Sequence, residues 1–235
     1  MSEWAAKRFW SKATAVPQDG RFTVHLDDRP VRTPAKSALL LPTEAMAQAV
    51  VAEWDAQEEK IDPTTMPVTR SANAAIDKVT PQFDEVVGLI AAYGDSDLVC
   101  YRADSPQALV RRQSEGWDPL LDWAKARFGV SLSPRSGIMH VAQSPEALEK
   151  LHTEVATLDP FQLTGFHDLV SLSGSLVIGL AAIHDFADAA ALWDVSRIDE
   201  IWQESQWGED EEASEQAAIK RGAFLHADTF FRLSA

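Results

Sequence analysis

The hydrophobic pattern changes character once along the chain, near residue 42. Within Arg21–Arg32 apolar and polar residues alternate, and Phe22, Val24 and Leu26 fall on one face, the period of a half-buried strand. Asp27 and Asp28 supply turn residues between two such runs and predict a hairpin. Pro17–Gly20 marks an earlier turn, after a strand around Phe9–Ala15, and Leu39–Leu41 reads as a further short strand. From Pro42 onward the period is helical. Thr43 is placed to cap a helix, with Glu44 in the first turn where a carboxylate favours the helix dipole. Met46, Val50 and Trp54 recur every four residues and share one face of that helix, which is expected to end near Lys60. Pro63 and Pro67 make Ile61–Pro67 a loop, because proline breaks helix and ladder alike. Further helices are predicted over 68–79, 82–93, 106–128, 145–158, 161–184, 186–206 and 210–233, with 129–141 weakly extended. The pattern therefore predicts an α+β fold: a small β-rich N-terminal domain, residues 1–42, followed by a larger mainly α-helical domain, residues 43–235.

Composition narrows the class. With 46% hydrophobic and 24% charged residues the chain is globular rather than disordered. The net charge of −15 repels phosphate, which argues against nucleic acid and anionic membrane as partners and favours a basic one. The longest uncharged run, Leu169–His184, falls short of the ~20 apolar residues a membrane span needs and reads as a buried core helix. Cys100 is the single cysteine, so no intrachain disulfide forms; its apolar neighbours make it a buried, inert thiol. The opening residues Met1–Trp4 carry neither an apolar signal core nor an Arg/Ser-rich presequence, so a cytoplasmic location is expected.

The spacings that carry common chemistry are missing. The chain has no Gly-x4-Gly-Lys-Ser/Thr loop to cradle phosphate, no Gly-x-Gly-x-x-Gly turn and no His-Glu-x-x-His pair. Ser173-Gly174-Ser175 lacks the nucleophile elbow. His184–Asp185 and His167–Asp168 are adjacent pairs, and adjacent side chains on a helix point apart. No cofactor and no metal are expected. The abundance of carboxylates leaves a metal-dependent hydrolase built on the C-terminal cluster as the alternative reading.

That cluster is the chain's most unusual stretch. Between His184 and Glu212 lie Asp185, Asp188, Asp194, Asp199, Glu200, Glu204, Glu209, Asp210, Glu211 and Glu212, against Arg197 alone. Glu200 and Glu204 repel one another at i,i+4, a cost of about 0.2–0.5 kcal/mol. At 100° per residue Glu200, Glu204 and Trp207 lie within about 60° of each other. Trp202 falls on the apolar stripe with Val195 and Ile198 and is expected in the core, and Gly208 reads as a helix stop. Acids at Glu209–Glu212 also suit the start of the next helix, so the charge pattern alone leaves helix-end chemistry and a binding face equally open. The candidate binding residues are Glu200, Glu204, Trp207, Glu209, Asp210, Glu211 and Glu212. Trp54, Asp55 and Arg70, in the segments Trp54–Gln57 and Met66–Arg70 that are more polar and irregular than a core requires, are secondary candidates, against a structural reading in which Trp54 packs in the core and Arg70 pairs with a nearby carboxylate.

Several segments, in order over nearly the whole chain, resemble one family. They are Arg8–Trp10, Leu26–Pro34, Leu41–Thr43, Glu53–Gln57, Met66–Arg70, Asp97–Arg102, Gln113–Trp123 with Trp117-Asp118-Pro119, Ser196-Arg197 and Gln206–Glu212. The set is similar to the ATP synthase assembly chaperones that bind the unassembled alpha subunit of the catalytic sector. Asp28 departs from the glycine common in the hairpin turn, and Val68 stands where leucine is expected. The resemblance implies a β N-terminal domain, a helical C-terminal domain and a monomeric chaperone without catalysis. It further implies that the partner is the unassembled alpha subunit, in the cytoplasm for a bacterial member and in the mitochondrial matrix for eukaryotic relatives.

Overall fold

The computed structural model describes residues 7–137 and 139–235; the opening residues Met1–Trp4 lie outside them. The fold is mixed α+β, as the pattern predicts, with a small antiparallel sheet near the N-terminus and helices thereafter. The chain divides into two compact units. The first comprises Met1–Phe83, Asp159–Gly165 and Thr229–Ala235, the second Asp84–Leu158 and Phe166–Asp228. The pattern change at Pro42–Thr43 marks the switch from strand to helix, whereas the first unit continues to Phe83, because the two helices after the sheet bury their apolar faces on it.

The first unit is built on strands β1 (Ala13–Gln18), β2 (Arg21–Leu26) and β3 (Arg29–Pro30), in the order β1-β2-β3. Asp19 and Gly20, both with left-handed φ (52° and 74°), close a two-residue turn that fixes the register from Gln18↔Arg21 to Ala13↔Leu26. This turn draws the first strand to 13–18 instead of 9–15, and Pro17 is tolerated because β1 is an edge strand. The Asp27-Asp28 hairpin forms as expected, pairing Leu26 with Arg29. Leu39–Leu41 is no strand: only Leu41 pairs, with Phe22, and Pro42 then ends the ladder for want of an N–H.

Helix α1 (Glu44–Asp55) starts where Thr43 caps it, the Thr43 Oγ1 accepting from Met46 N at 3.1 Å. Met46 and Val50 are fully buried against Val24, Leu39 and Leu41. Trp54, one turn on, packs edge-to-face on Trp10 with centroids 5.2 Å apart. Helix α2 (Pro67–Ala74) has no cap of its own at Met66. Glu53 of α1 fills that role, accepting from Val68 N at 2.6 Å, Thr69 N at 2.7 Å and Thr69 Oγ1 at 2.7 Å. Phe161 and Phe230 stack at 6.4 Å and complete this core.

The second unit is helical: α3 (Phe83–Ala91), whose first residue closes the first unit, α4 (Gln107–Phe128), α5 (Pro145–Ala156), α6 (Pro160–Ser173), whose residues up to Gly165 belong to the first unit, α7 (Leu176–Ile183), α8 (Ala189–Ser196), α9 (Ile198–Trp207) and α10 (Glu211–Ser234), whose residues from Thr229 on also belong to the first unit. A two-residue parallel pair, β4 (Tyr101–Arg102) with β5 (Arg135–Ser136), supplements it. Two predicted helices are each split. The run 161–184 breaks at Gly174, whose φ of 72° only glycine adopts freely, and Ser175 caps α7 through Ile178 N at 3.0 Å. The run 186–206 breaks at Arg197, which leaves helical geometry at ψ 15°. The uncharged segment is nonetheless core: Leu176–Leu180 are all buried. Asp97, fully buried, fastens it by accepting from Val99 N at 3.1 Å and Val177 N at 2.9 Å. Burial pushes its carboxyl up to about 6, against the pull of those bonds. Among the described residues no helix is long and apolar enough to cross a membrane.

Candidate binding surface

The acidic stretch is positioned by α4. Gly116 makes room for α9: a Cβ there would stand 2.5 Å from Ile198 Cδ1. One residue on, Trp117 is fully buried and its Nε1 donates to Val195 O at 2.9 Å, holding the end of α8. Gln113, also buried, donates to Asp199 Oδ1 at 2.6 Å while its Oε1 accepts from Ala103 N at 2.8 Å. Arg112 stacks over Trp202 at 5.0 Å. The segment Gln113–Trp123 thus supplies the seat of α9, a role that sequence reasoning did not assign to it. The signal in the sequence was Gly116 beside Trp117, a small residue next to a large one of the kind that packs inward; Gln113, a residue type usually exposed, gave none.

Beyond this seat the helices are bare. From Ile198 to Ala223, through all of α9 and the first half of α10, no residue is buried. Trp202 is half-buried under Arg112 and does not enter the core, because α9 rests on α4 by one edge. Trp207 is 79% exposed, Ile219 59% and Ile201 43%. Helix α9 runs far enough to keep Glu200, Glu204 and Trp207 on one side, and it stops at Gly208, whose N donates to Glu204 O at 2.9 Å with φ at 90°. Two of the candidate acids are engaged within the chain. Glu200 accepts from Arg197 Nη1 at 2.7 Å, and Asp210 caps α10 by accepting from Ala213 N at 2.8 Å. Glu204, Glu209, Glu211 and Glu212 have no ion-pair partner among the described residues; Glu204 is partly buried and the other three are exposed. Sequence reasoning missed Ile219 and the bareness of α10's first half. The sign was there: after Trp207 the next large apolar residue is Ile219, and none follows until Phe224.

The secondary candidates lie in the first unit, where Trp54 and Asp55 serve its scaffold. Trp54 packs on Trp10, and Asp55 Oδ1 accepts from Ala13 N at 2.8 Å. Arg8 donates to the carbonyls of Asp55, at 2.8 Å, and Gln57. Buried Gln57 donates to Glu53 O and Thr65 Oγ1 and accepts from Asp62 N, which locks the loop before α2. Arg70 lies exposed on α2.

The remaining chemistry is quiet. Burial pushes the Cys100 thiol up to about 12, so it stays protonated near neutrality. His184 Nε2 faces Glu154 Oε1 at 3.2 Å, not its neighbour Asp185. His167 does reach Asp168, at 2.9 Å, and that bond raises its pKa. Among the described residues no three His, Cys, Asp or Glu side chains gather as metal ligands.

The mixed α+β fold thus carries some twenty-five helical and linking residues of which none is fully buried, with an exposed tryptophan among carboxylates, a surface of the kind that chaperones present to a client. Residues 7–125 match the family model described as the ATP12 chaperone protein. The chain belongs to the ATP12 chaperone family, the chaperones of ATP synthase assembly. It is 51% identical to Atp12 of Paracoccus denitrificans, whose crystal structure superposes with a TM-score of 0.96 over 99% of this chain and 100% of that one. The crystal structure of a proposed chaperone from Agrobacterium tumefaciens is 39% identical, with a TM-score of 0.91 over 97% of this chain and 85% of that one. The mitochondrial protein atp12 of Schizosaccharomyces pombe is 23% identical over 221 residues, 89% of this chain and 76% of that protein.

Proposed function

We propose that this chaperone binds the unassembled alpha subunit of ATP synthase, covers its exposed interface and yields it to the beta subunit, without catalysing a reaction and as a monomer in the bacterial cytoplasm. A subunit without its neighbours exposes an apolar patch that aggregates, and a soluble partner that covers the patch prevents this. The observation that carries the reading is the unburied run Ile198–Ala223, with Trp207 bare at its centre. A helical stretch that leaves no residue fully buried in its own chain is suited to being covered by another.

The roles divide accordingly. Trp207 is a large, rigid apolar anchor of the type that dominates binding energy when covered. Glu200, Glu204, Glu209, Glu211 and Glu212 attract and orient a basic client surface, adding more to association rate than to tightness. Asp210 acts through α10, whose first turn it caps. Moderate affinity fits a chaperone that must release its client.

Co-expression with isolated alpha subunit, followed by pull-down of the soluble fraction, tests the reading. Soluble alpha subunit in complex with this chain is expected, and beta subunit under the same conditions is expected to stay uncaptured. Equal rescue of both subunits, or of neither, contradicts it.

A further inference from the structure

We infer that the outward face of the first half of α10 is the seat of a basic, amphipathic helical segment of the client. The inference rests on the chaperone reading above and assigns it a surface that the acidic cluster alone does not specify.

Glu211, Glu215, Ala218, Ile219 and Gly222 fall within about 100° of one another on α10, at 100° per residue. That face points away from the side on which Phe224 and Ala227 enter the core of the second unit. All five residues are exposed, and Ile219 shows 59% of its surface. Most helices in proteins draw their stability from packing an apolar face. This half-helix packs none, and it stands only as the capped extension of the half that begins at Phe224.

The occupant follows from what the face presents. Its amino-terminal end carries Glu211 and Glu215, while Lys220 lies on the opposite side and Arg221 borders the face near its other end, so the seat complements lysine or arginine at the amino-terminal end of the face. Ile219 offers an apolar contact one to two turns on. Beside it Ala218 and Gly222 leave the surface low, and a Cβ added at Gly222 meets nothing within 4 Å. A helix can therefore lie close along this line, its apolar stripe over Ile219 and its basic residues toward Glu211 and Glu215. An acidic or purely polar segment finds neither charge nor contact there.

The space around Gly222 supplies a clean test. Gly222→Leu leaves the fold intact, because the new side chain points into open space at an ordinary helical position. It obstructs anything that lies along the face. Gly88→Leu on α3 is the matched control, a helical glycine in the second unit also with nothing within 4 Å. Binding of isolated alpha subunit is measured for the unaltered protein and both variants. Gly222→Leu is expected to weaken binding by about tenfold or more, with Gly88→Leu within about twofold of the unaltered protein. Unaltered binding by Gly222→Leu, or equal loss in both variants, overturns the seat while leaving the chaperone reading in place. Failure of the unaltered protein to bind alpha subunit removes the reading itself, and the seat with it.

Discussion

Replacing Trp117 with alanine is expected to lower the stability of the second unit by about 3–5 kcal/mol, at the upper end for a buried aromatic. The indole is fully buried within α4, so truncation leaves a cavity that the surrounding helices cannot fill. It also strips Val195 O of the donor that holds the end of α8, and Arg102, stacked 5.3 Å above the ring, loses its platform. Trp117→Phe separates these contributions: it keeps most of the volume and loses the N–H, for a smaller cost of about 1–2 kcal/mol. Urea denaturation with tryptophan fluorescence gives the comparison. Trp207→Ala, at a side chain 79% exposed, is the matched control and should leave the midpoint almost unmoved. A Trp117→Ala midpoint equal to that of the unaltered protein would remove α4 as the support of the binding surface.

The second large effect is on binding. Glu204→Lys combined with Glu209→Lys changes the local charge by four units at one partly buried and one exposed position, both free of ion pairs among the described residues. Stability should change little, since relief of the Glu200–Glu204 repulsion and a cation in the last turn of α9, each about 0.3–0.5 kcal/mol, are offset by a cation at position 209 beside the start of α10. Association with alpha subunit should slow by about tenfold or more at low salt, and the difference should shrink as ionic strength passes about 0.5 M. Stopped-flow mixing at several salt concentrations measures both. A rate unchanged at low salt would mean that the carboxylates do not steer the client.

Much of the fold is legible in local chemistry. Thr43 marks the start of α1, and the Asp27-Asp28 turn marks the hairpin, because caps and turns depend on side chains next to the backbone they satisfy. The breaks at Gly174 and Arg197 were less visible. A single glycine in an apolar run costs a helix only about 1 kcal/mol, and tertiary contacts decide whether the run continues; here Asp97, far away in sequence, takes the amide of Val177. The acidic residues of the surface stood out by charge. The length of the unburied run did not, because exposure is a property of what fails to pack: Trp202 shares the spacing of a core residue, yet it is only half-buried, under Arg112. The Glu53–Gln57 segment shows the opposite difficulty. Its polar residues suggested a site, but Glu53, Asp55 and Gln57 each satisfy backbone groups of neighbouring segments.

Hydrogen exchange on the complex with isolated alpha subunit tests the central claim most directly, because it reports where the client sits without altering either protein. Backbone amides between Ile198 and Ala223 are exposed to solvent-driven opening in the free chain and should exchange at least about tenfold more slowly in the complex. Those of Glu53–Arg70, within the scaffold of the first unit, should exchange alike in both. A stable complex in which Ile198–Ala223 exchanges as fast as in the free chain would contradict the account.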